Sequence, residues 1–318
     1  MRVAIIGARW PDVEIEREVL GVGEADVVRD PGESRDGLLG AASGADVILA
    51  GPRPRFDAAV IDQLTCRGIV RYGVGYDNVD VAAAAQKGIS VAFVPDYGTE
   101  AVALHAVALA LAAMRRIPQL DIAVKDGSWG FQSIRPLHLP EVMTAGVVGF
   151  GRIGRAAACH LRDLGFERTL AHDEFVAIDE RGITAASQAE VLAADVISLH
   201  APANADGTPL LGAAEIAVLR PGSILVNTSR GSLIDTAALV AGLAAGRPAI
   251  AALDVFNPEP PDVAVFEPVR DRVILTPHVA WYSEESERSL RVKTAEEAKR
   301  IVAGEEPRNP VPLPEEDQ

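Results

Sequence analysis

Residues 147–154 read VVGFGRIG, the end of an apolar run followed by three glycines in the spacing G-x-G-x-x-G. The run from Ala145 to Val148 has the composition of a buried strand, and RAAACHLRDLG after it has that of a helix. In that context each glycine has its own task. Gly149 permits the tight turn, Gly151 lets the backbone approach a pyrophosphate, and Gly154 allows close helix–sheet contact, with phosphate at the helix N-terminus. Asp173 closes the next apolar run 19 residues after Gly154, near the spacing of about 20 expected of an acid that bonds a ribose hydroxyl. Glu174 follows it with no arginine immediately beside the pair, so a ribose 2'-phosphate would be repelled. The expected cofactor is NAD, with NADH preferred over NADPH.

Outward from this motif the chain alternates short β-branched runs with helical segments. Thr169 to His172, Val196 to Leu199, Ile224 to Asn227, Ala251 to Leu253 and Val273 to Leu275 continue the sheet that Ala145 to Val148 begins. About six parallel strands are expected, as in a doubly wound nucleotide-binding domain. An earlier series, Val3 to Ile6, Val47 to Ala50, Ile69 to Arg71 and Val91 to Val94, makes a second α/β unit with strands buried on both faces. In DVAAAAQKG, Asp80 caps a helix start, Lys87 suits its C-terminal dipole and Gly88 stops it. Between the two series, EAVALHAVALALAAMRRI reads as a buried helix packed closely on another element. Pro118 to Thr144, with Trp129 and Phe131, shows no clear periodicity, and so long an irregular stretch points to function or to cover by a partner.

Composition agrees with two folded domains. The chain has 318 residues, 48% hydrophobic and 24% charged, more than one core usually serves. Its net charge of -15 argues against nucleic acid or an anionic membrane as partner. Cys66 and Cys159 have neither metal-ligand spacing nor a disulfide framework, so the cytoplasm is the default compartment and no metal is expected. The start, MRVAIIGARW, lacks the features of a signal peptide, and no apolar stretch is long enough to span a bilayer.

Three residues at the ends of later strands carry chemistry: Arg230 in NTSRGSLID, Glu259 in LDVFNPEP, with Asp254 before it, and His278 in TPH. Ligands of open α/β sheets bind at such ends. With RYGVGYDNVD (71–80), VPDYGTEAV (94–102), GFGRIG and LHAP (199–202), these segments resemble the D-isomer-specific 2-hydroxyacid dehydrogenases over nearly the whole chain. The resemblance implies a Rossmann-type NAD-binding domain, residues 99–282, inserted into a flavodoxin-like substrate domain, residues 1–98 and 283–318. It implies catalysis by Arg230, Glu259 and His278. It also implies cofactor contacts from Gly149, Gly151, Arg152, Ile153, Gly154 and Asp173, and from Thr99, His200, Ala201, Pro202, Thr228 and Asp254. Arg71 and the backbone near Val74 and Gly75 would meet the carboxylate of a small 2-oxo or 2-hydroxy acid.

That chemistry needs those residue types. Hydride delivered to a carbonyl carbon leaves an alkoxide that His278 can protonate, Glu259 can fix the imidazole tautomer, and Arg230 can fork onto carboxylate and carbonyl oxygens. The chain departs from the family in PEVMTAG, where relatives carry a basic turn, and in Glu174, where a proline is usual. The other histidines, His105, His138, His160, His172 and His200, are expected to be structural. The end at Gln318 and the acid at Glu259 point away from the serine-regulated phosphoglycerate dehydrogenases and from formate dehydrogenases. HVAWYSEES and IVRYGVGYDNVD look most like the C-terminal-binding-protein branch, which implies that Trp281 lines the substrate pocket. The alternative reading is an NAD(H)-sensing dimeric interaction protein. In either case the Ala-rich helix and the 118–144 arm resemble the family's dimer contact, and that resemblance implies a homodimer.

Overall fold

The computed structural model describes residues 1–8, 10–204 and 206–313. Within it the chain forms two compact units, Met1–Gly98 with Ser283–Gln318, and Thr99–Tyr282. The first contains β1 (Val3–Ile6), β2 (Val27–Asp30), β3 (Val47–Ala50), β4 (Gly68–Arg71) and β5 (Ser90–Ala92), all parallel, in the order β2-β1-β3-β4-β5. This is the flavodoxin-like order. VAII and VILA are buried at every position, as strands covered on both faces must be. The edge strand Val27–Asp30 is one that the apolar pattern does not predict. Its residues are half-buried or exposed, so VVRD lacks the continuous apolarity of its neighbours.

Two buried charges tie this unit together. Glu16, on the Glu14–Leu20 helix, accepts hydrogen bonds from Arg291 Nε at 2.9 Å and from the Tyr72 hydroxyl at 3.0 Å. Arg291 lies on the Glu284–Val302 helix and also bonds Asp12 at 2.8 Å. Burying such charges is tolerable only because each is paired and hydrogen-bonded. The Arg291 hydrogen bond to Asp12 also holds that carboxyl below its ordinary value.

The second unit is a seven-stranded parallel sheet. Its strands are β6 (Thr144–Val148), β7 (Arg168–His172), β8 (Thr184–Ala185), β9 (Val196–Leu199), β10 (Ile224–Asn227), β11 (Ile250–Leu253) and β12 (Val273–Leu275). They run β12-β11-β10-β9-β6-β7-β8, the doubly wound order with its reversal between β6 and β9. The sheet thus has one strand more than expected: β8 is two exposed residues, too short to leave a pattern. The Thr99–Met114 helix buries Ala106, Ala110 and Ala113 in the same core as Ala158 of the Arg152–Asp163 helix, where small side chains let helices approach.

A second correction concerns 118–144. Ile117–Lys125 is a helix with Pro118 in its first turn, where a missing N–H costs nothing. Only the remainder is irregular, broken by single turns at Gln132–Ile134 and Pro140–Val142. No single helix among the described residues is long and apolar enough to cross a membrane.

Candidate active site

The glycine loop leaves the C-terminal end of β6 at the sheet's reversal point. Gly149 has φ +90°, and a Cβ there would stand 2.5 Å from the His200 carbonyl carbon, so only glycine fits. A Cβ on Gly154 would run into the Gly149 carbonyl, whereas one on Gly151 would meet nothing within 4 Å among the described residues. The loop is therefore closed against protein at its first and third glycines and open at its second. The open glycine caps the twelve-residue Arg152–Asp163 helix, whose free N–H groups and dipole favour an anion. Arg152 is exposed beside it, Ile153 is half-buried, and the packing of Gly154 explains its own burial.

Asp173 follows β7 and is bound to the same loop. Its carboxylate accepts N–H bonds from Phe150 at 2.6 Å and from Phe175 and Val176 at 2.8 Å. Burial alone would raise its pKa, but these three donors hold it below its ordinary value, so it stays a ready acceptor. His200, Ala201 and Pro202 follow β9. Burial lowers the His200 ring to about 4, so it is neutral, with Nε2 2.8 Å from Ser198 Oγ and Nδ1 without a partner among the described residues. Thr228, after β10, has a buried hydroxyl in the same condition, and Thr99 opens the helix that packs against the Arg152–Asp163 helix. An open glycine turn, a helix N-terminus, an ionised acid and two buried polar atoms without partners fit a dinucleotide.

Arg230, Glu259 and His278 lie in the segments that follow β10, β11 and β12, three adjacent strands. The Arg230 turn is built by Asn227, whose side chain donates to the Arg230 carbonyl at 2.8 Å and accepts from Ser229 N–H at 3.0 Å. Glu259 receives the Phe256 N–H at 3.0 Å and lies 2.8 Å from His278 Nδ1. Partial burial would raise the Glu259 pKa, but the His278 bond, with attraction to Arg230 and the Phe256 N–H, holds it below its ordinary value. Ionised Glu259 accepts, so His278 Nδ1 carries the proton between them.

His278 has φ +54°, a left-handed backbone unusual for a side chain with a Cβ. Asp254 holds it there. Fully buried, it takes the Thr276 hydroxyl at 2.6 Å and the Val279 N–H at 3.0 Å on one oxygen and the Ala280 N–H at 2.9 Å on the other, and its backbone carbonyl takes the His278 N–H at 2.8 Å. Both oxygens of Asp254, expected near the cofactor, thus have protein donors. Trp281 is half-buried, with its indole N–H 3.2 Å from the His278 carbonyl and its ring edge-to-face with Tyr282. Arg71, Val74 and Gly75 belong to the first unit, where they leave the C-terminal end of β4. Arg71 folds back over Gly73, whose φ is +125° and whose Cβ would stand 2.6 Å from the guanidinium.

Fold and site together define a doubly wound, dinucleotide-binding type of protein with an Arg, Glu and His set at one sheet edge. A family model described as "D-isomer specific 2-hydroxyacid dehydrogenase, NAD binding domain" matches residues 107–280, and the chain belongs to that family. Glyoxylate reductase of Thermococcus litoralis is 35% identical over 253 residues, 76% of this chain and 75% of that protein. D-3-phosphoglycerate dehydrogenase of Archaeoglobus fulgidus is 36% identical over 288 residues, 89% of this chain but 54% of that protein. The chain thus spans about half the length of the curated D-3-phosphoglycerate dehydrogenases it matches. Among solved structures, the TT0316 protein from Thermus thermophilus is 31% identical with TM-score 0.87, covering 98% of this chain and all of that one. D-lactate dehydrogenase from Aquifex aeolicus, complexed with NAD and lactic acid, is 26% identical with TM-score 0.84, covering 95% and 96%.

Proposed function

We propose that this protein is an NAD-dependent D-2-hydroxyacid dehydrogenase that reduces 2-oxo acids. The observation that carries the reading is the 2.8 Å pair of His278 Nδ1 and Glu259, beside an arginine turn at the same sheet edge. With Nδ1 bonded to an ionised carboxylate, Nε2 is left to give a proton to the substrate oxygen, and the charge left on Glu259 favours the imidazolium that must do so. Arg230 binds the carboxylate and carbonyl oxygens and orients the carbon. NADH, when bound, supplies the hydride. Gly149, Gly151, Arg152 and Gly154 are assigned to its phosphates and Asp173 to its ribose, with Glu174 disfavouring NADPH. Arg71, Val74 and Gly75 keep their assignment to the substrate carboxylate on the strength of the RYGVG motif.

The indole of Trp281, fixed to the His278 carbonyl, offers an apolar wall next to the proton donor, which suits an aliphatic, thioether or aromatic side chain on the acid. It is also what supports placement near the C-terminal-binding-protein branch. The test is NADH and NADPH oxidation with a panel of 2-oxo acids, in the parent and in Trp281→Ala. Expected are turnover with NADH, little with NADPH, and a larger loss of kcat/KM in the variant for bulky acids than for pyruvate. No turnover on any acid, with tight NADH binding that shifts oligomerisation, would replace the enzyme by an NAD(H)-sensing protein.

A further inference from the structure

His105 stands in the middle of the Thr99–Met114 helix, where the sequence suggests only a structural histidine. Its Nε2 lies 3.2 Å from the Thr276 hydroxyl and 3.7 Å from Asp254 Oδ1. The direction of the hydrogen bonds follows from the acceptor at the end. Asp254 Oδ1 also takes the Val279 N–H and Oδ2 the Ala280 N–H, so the carboxylate acts only as acceptor and the Thr276 hydroxyl donates to it at 2.6 Å. The hydroxyl's own lone pairs then face His105, whose Nε2 carries the proton. A single chain runs from His105 Nε2–H to Thr276 Oγ1–H to Asp254, and Asp254 in turn accepts the backbone N–H groups of His278, Val279 and Ala280.

We propose that His105 is a positioning residue for His278, acting through Thr276 and Asp254 to hold the 276–280 turn in the left-handed backbone that sets the imidazole against Glu259. Hydrogen bonds in such a chain polarise one another, so a donor two links away strengthens the grip of Asp254 on the turn. Without it the Thr276 hydroxyl is free to rotate, the Asp254 oxygens lose their fixed orientation, and His278 leaves its strained φ. The effect on proton transfer rests on the assignment of His278 as acid, whereas the effect on the turn does not.

The test uses the full chain carrying His105→Phe, which keeps a ring and removes the donor, or His105→Gln, whose amide N–H reaches the place of Nε2. Thr276→Val breaks the next link at nearly constant volume. Amide hydrogen exchange at Val279 and Ala280 is expected to quicken about tenfold in H105F and T276V and to stay within about twofold of the parent in H105Q, while the core amide of Val226 is unchanged. For 2-oxo acid reduction, kcat is expected to fall about tenfold in H105F with NADH affinity unchanged, and to recover in H105Q. Equal exchange at Val279 and Ala280 in the parent, H105F and T276V overturns the proposal, as does uniform acceleration that includes Val226. Should the parent reduce no 2-oxo acid while exchange responds as described, the dehydrogenase reading fails and the positioning role of His105 stands.

Discussion

A single shared proton between His278 and Glu259 makes the acid limb of this protein's behaviour calculable in sign. The Glu259 carboxyl titrates lower folded than unfolded, so its pair with His278 stabilises the fold above the ordinary value of 4.5. That contribution disappears as pH falls through the lower folded value. Glu259→Gln should therefore flatten the decline of Tm below about pH 4.5, and a decline as steep as the parent's would dismiss the pair as a contributor. At neutral pH the same variant should lower kcat by about 10²-fold at unchanged NADH affinity, because the amide cannot favour the imidazolium. Arg230, Glu259 and His278 are legible in the sequence as candidates because few residue types suit the proposed chemistry and each follows an apolar run that forms a strand. The work of Asp254 and His105 is not readable. His105 and Thr276 are 171 residues apart, and only the fold brings a helix interior to the turn before His278.

Among the elements, the glycine loop carries the sharpest constraint. Gly149→Ala places a Cβ against the His200 backbone at a positive φ, which should cost about 2–4 kcal/mol of stability and abolish NADH binding. Thermal unfolding and a fluorescence titration with NADH would check both, and retention of binding would show that the turn can shift. The buried strands and the caps are legible for a related reason: each is forced by a local rule. Asp80 accepts the Ala83 N–H at 2.9 Å and Gly88 has φ +72°, as DVAAAAQKG requires. The elements that escape, Val27–Asp30, Thr184–Ala185 and Ile117–Lys125, are all partly exposed. Their burial is incomplete, so the apolar pattern that marks a strand or helix is diluted.

At the scale of the whole molecule, apolar side chains collect on the outside of the second unit. Trp129 is 92% and Phe131 60% exposed, and Ile117, Ile122, Leu139 and Val142 are exposed nearby in the chain. So large a share of exposed apolar surface in one segment fits cover by a second copy of the chain. Sedimentation at micromolar concentration should show a homodimer, and Trp129→Asp with Phe131→Asp should shift it to monomer; a monomeric parent would refute the dimer. One further consequence follows from the Glu16–Arg291 pair, whose members lie 275 residues apart. During synthesis Glu16 leaves the ribosome long before its counter-charge exists, and an unpaired carboxylate cannot be buried. The first unit must wait, open or loosely formed, until the Glu284–Val302 helix emerges, whereas Thr99–Tyr282 is one uninterrupted stretch able to fold while the rest is still being made. The chain's first residues are then among the last to reach their native state.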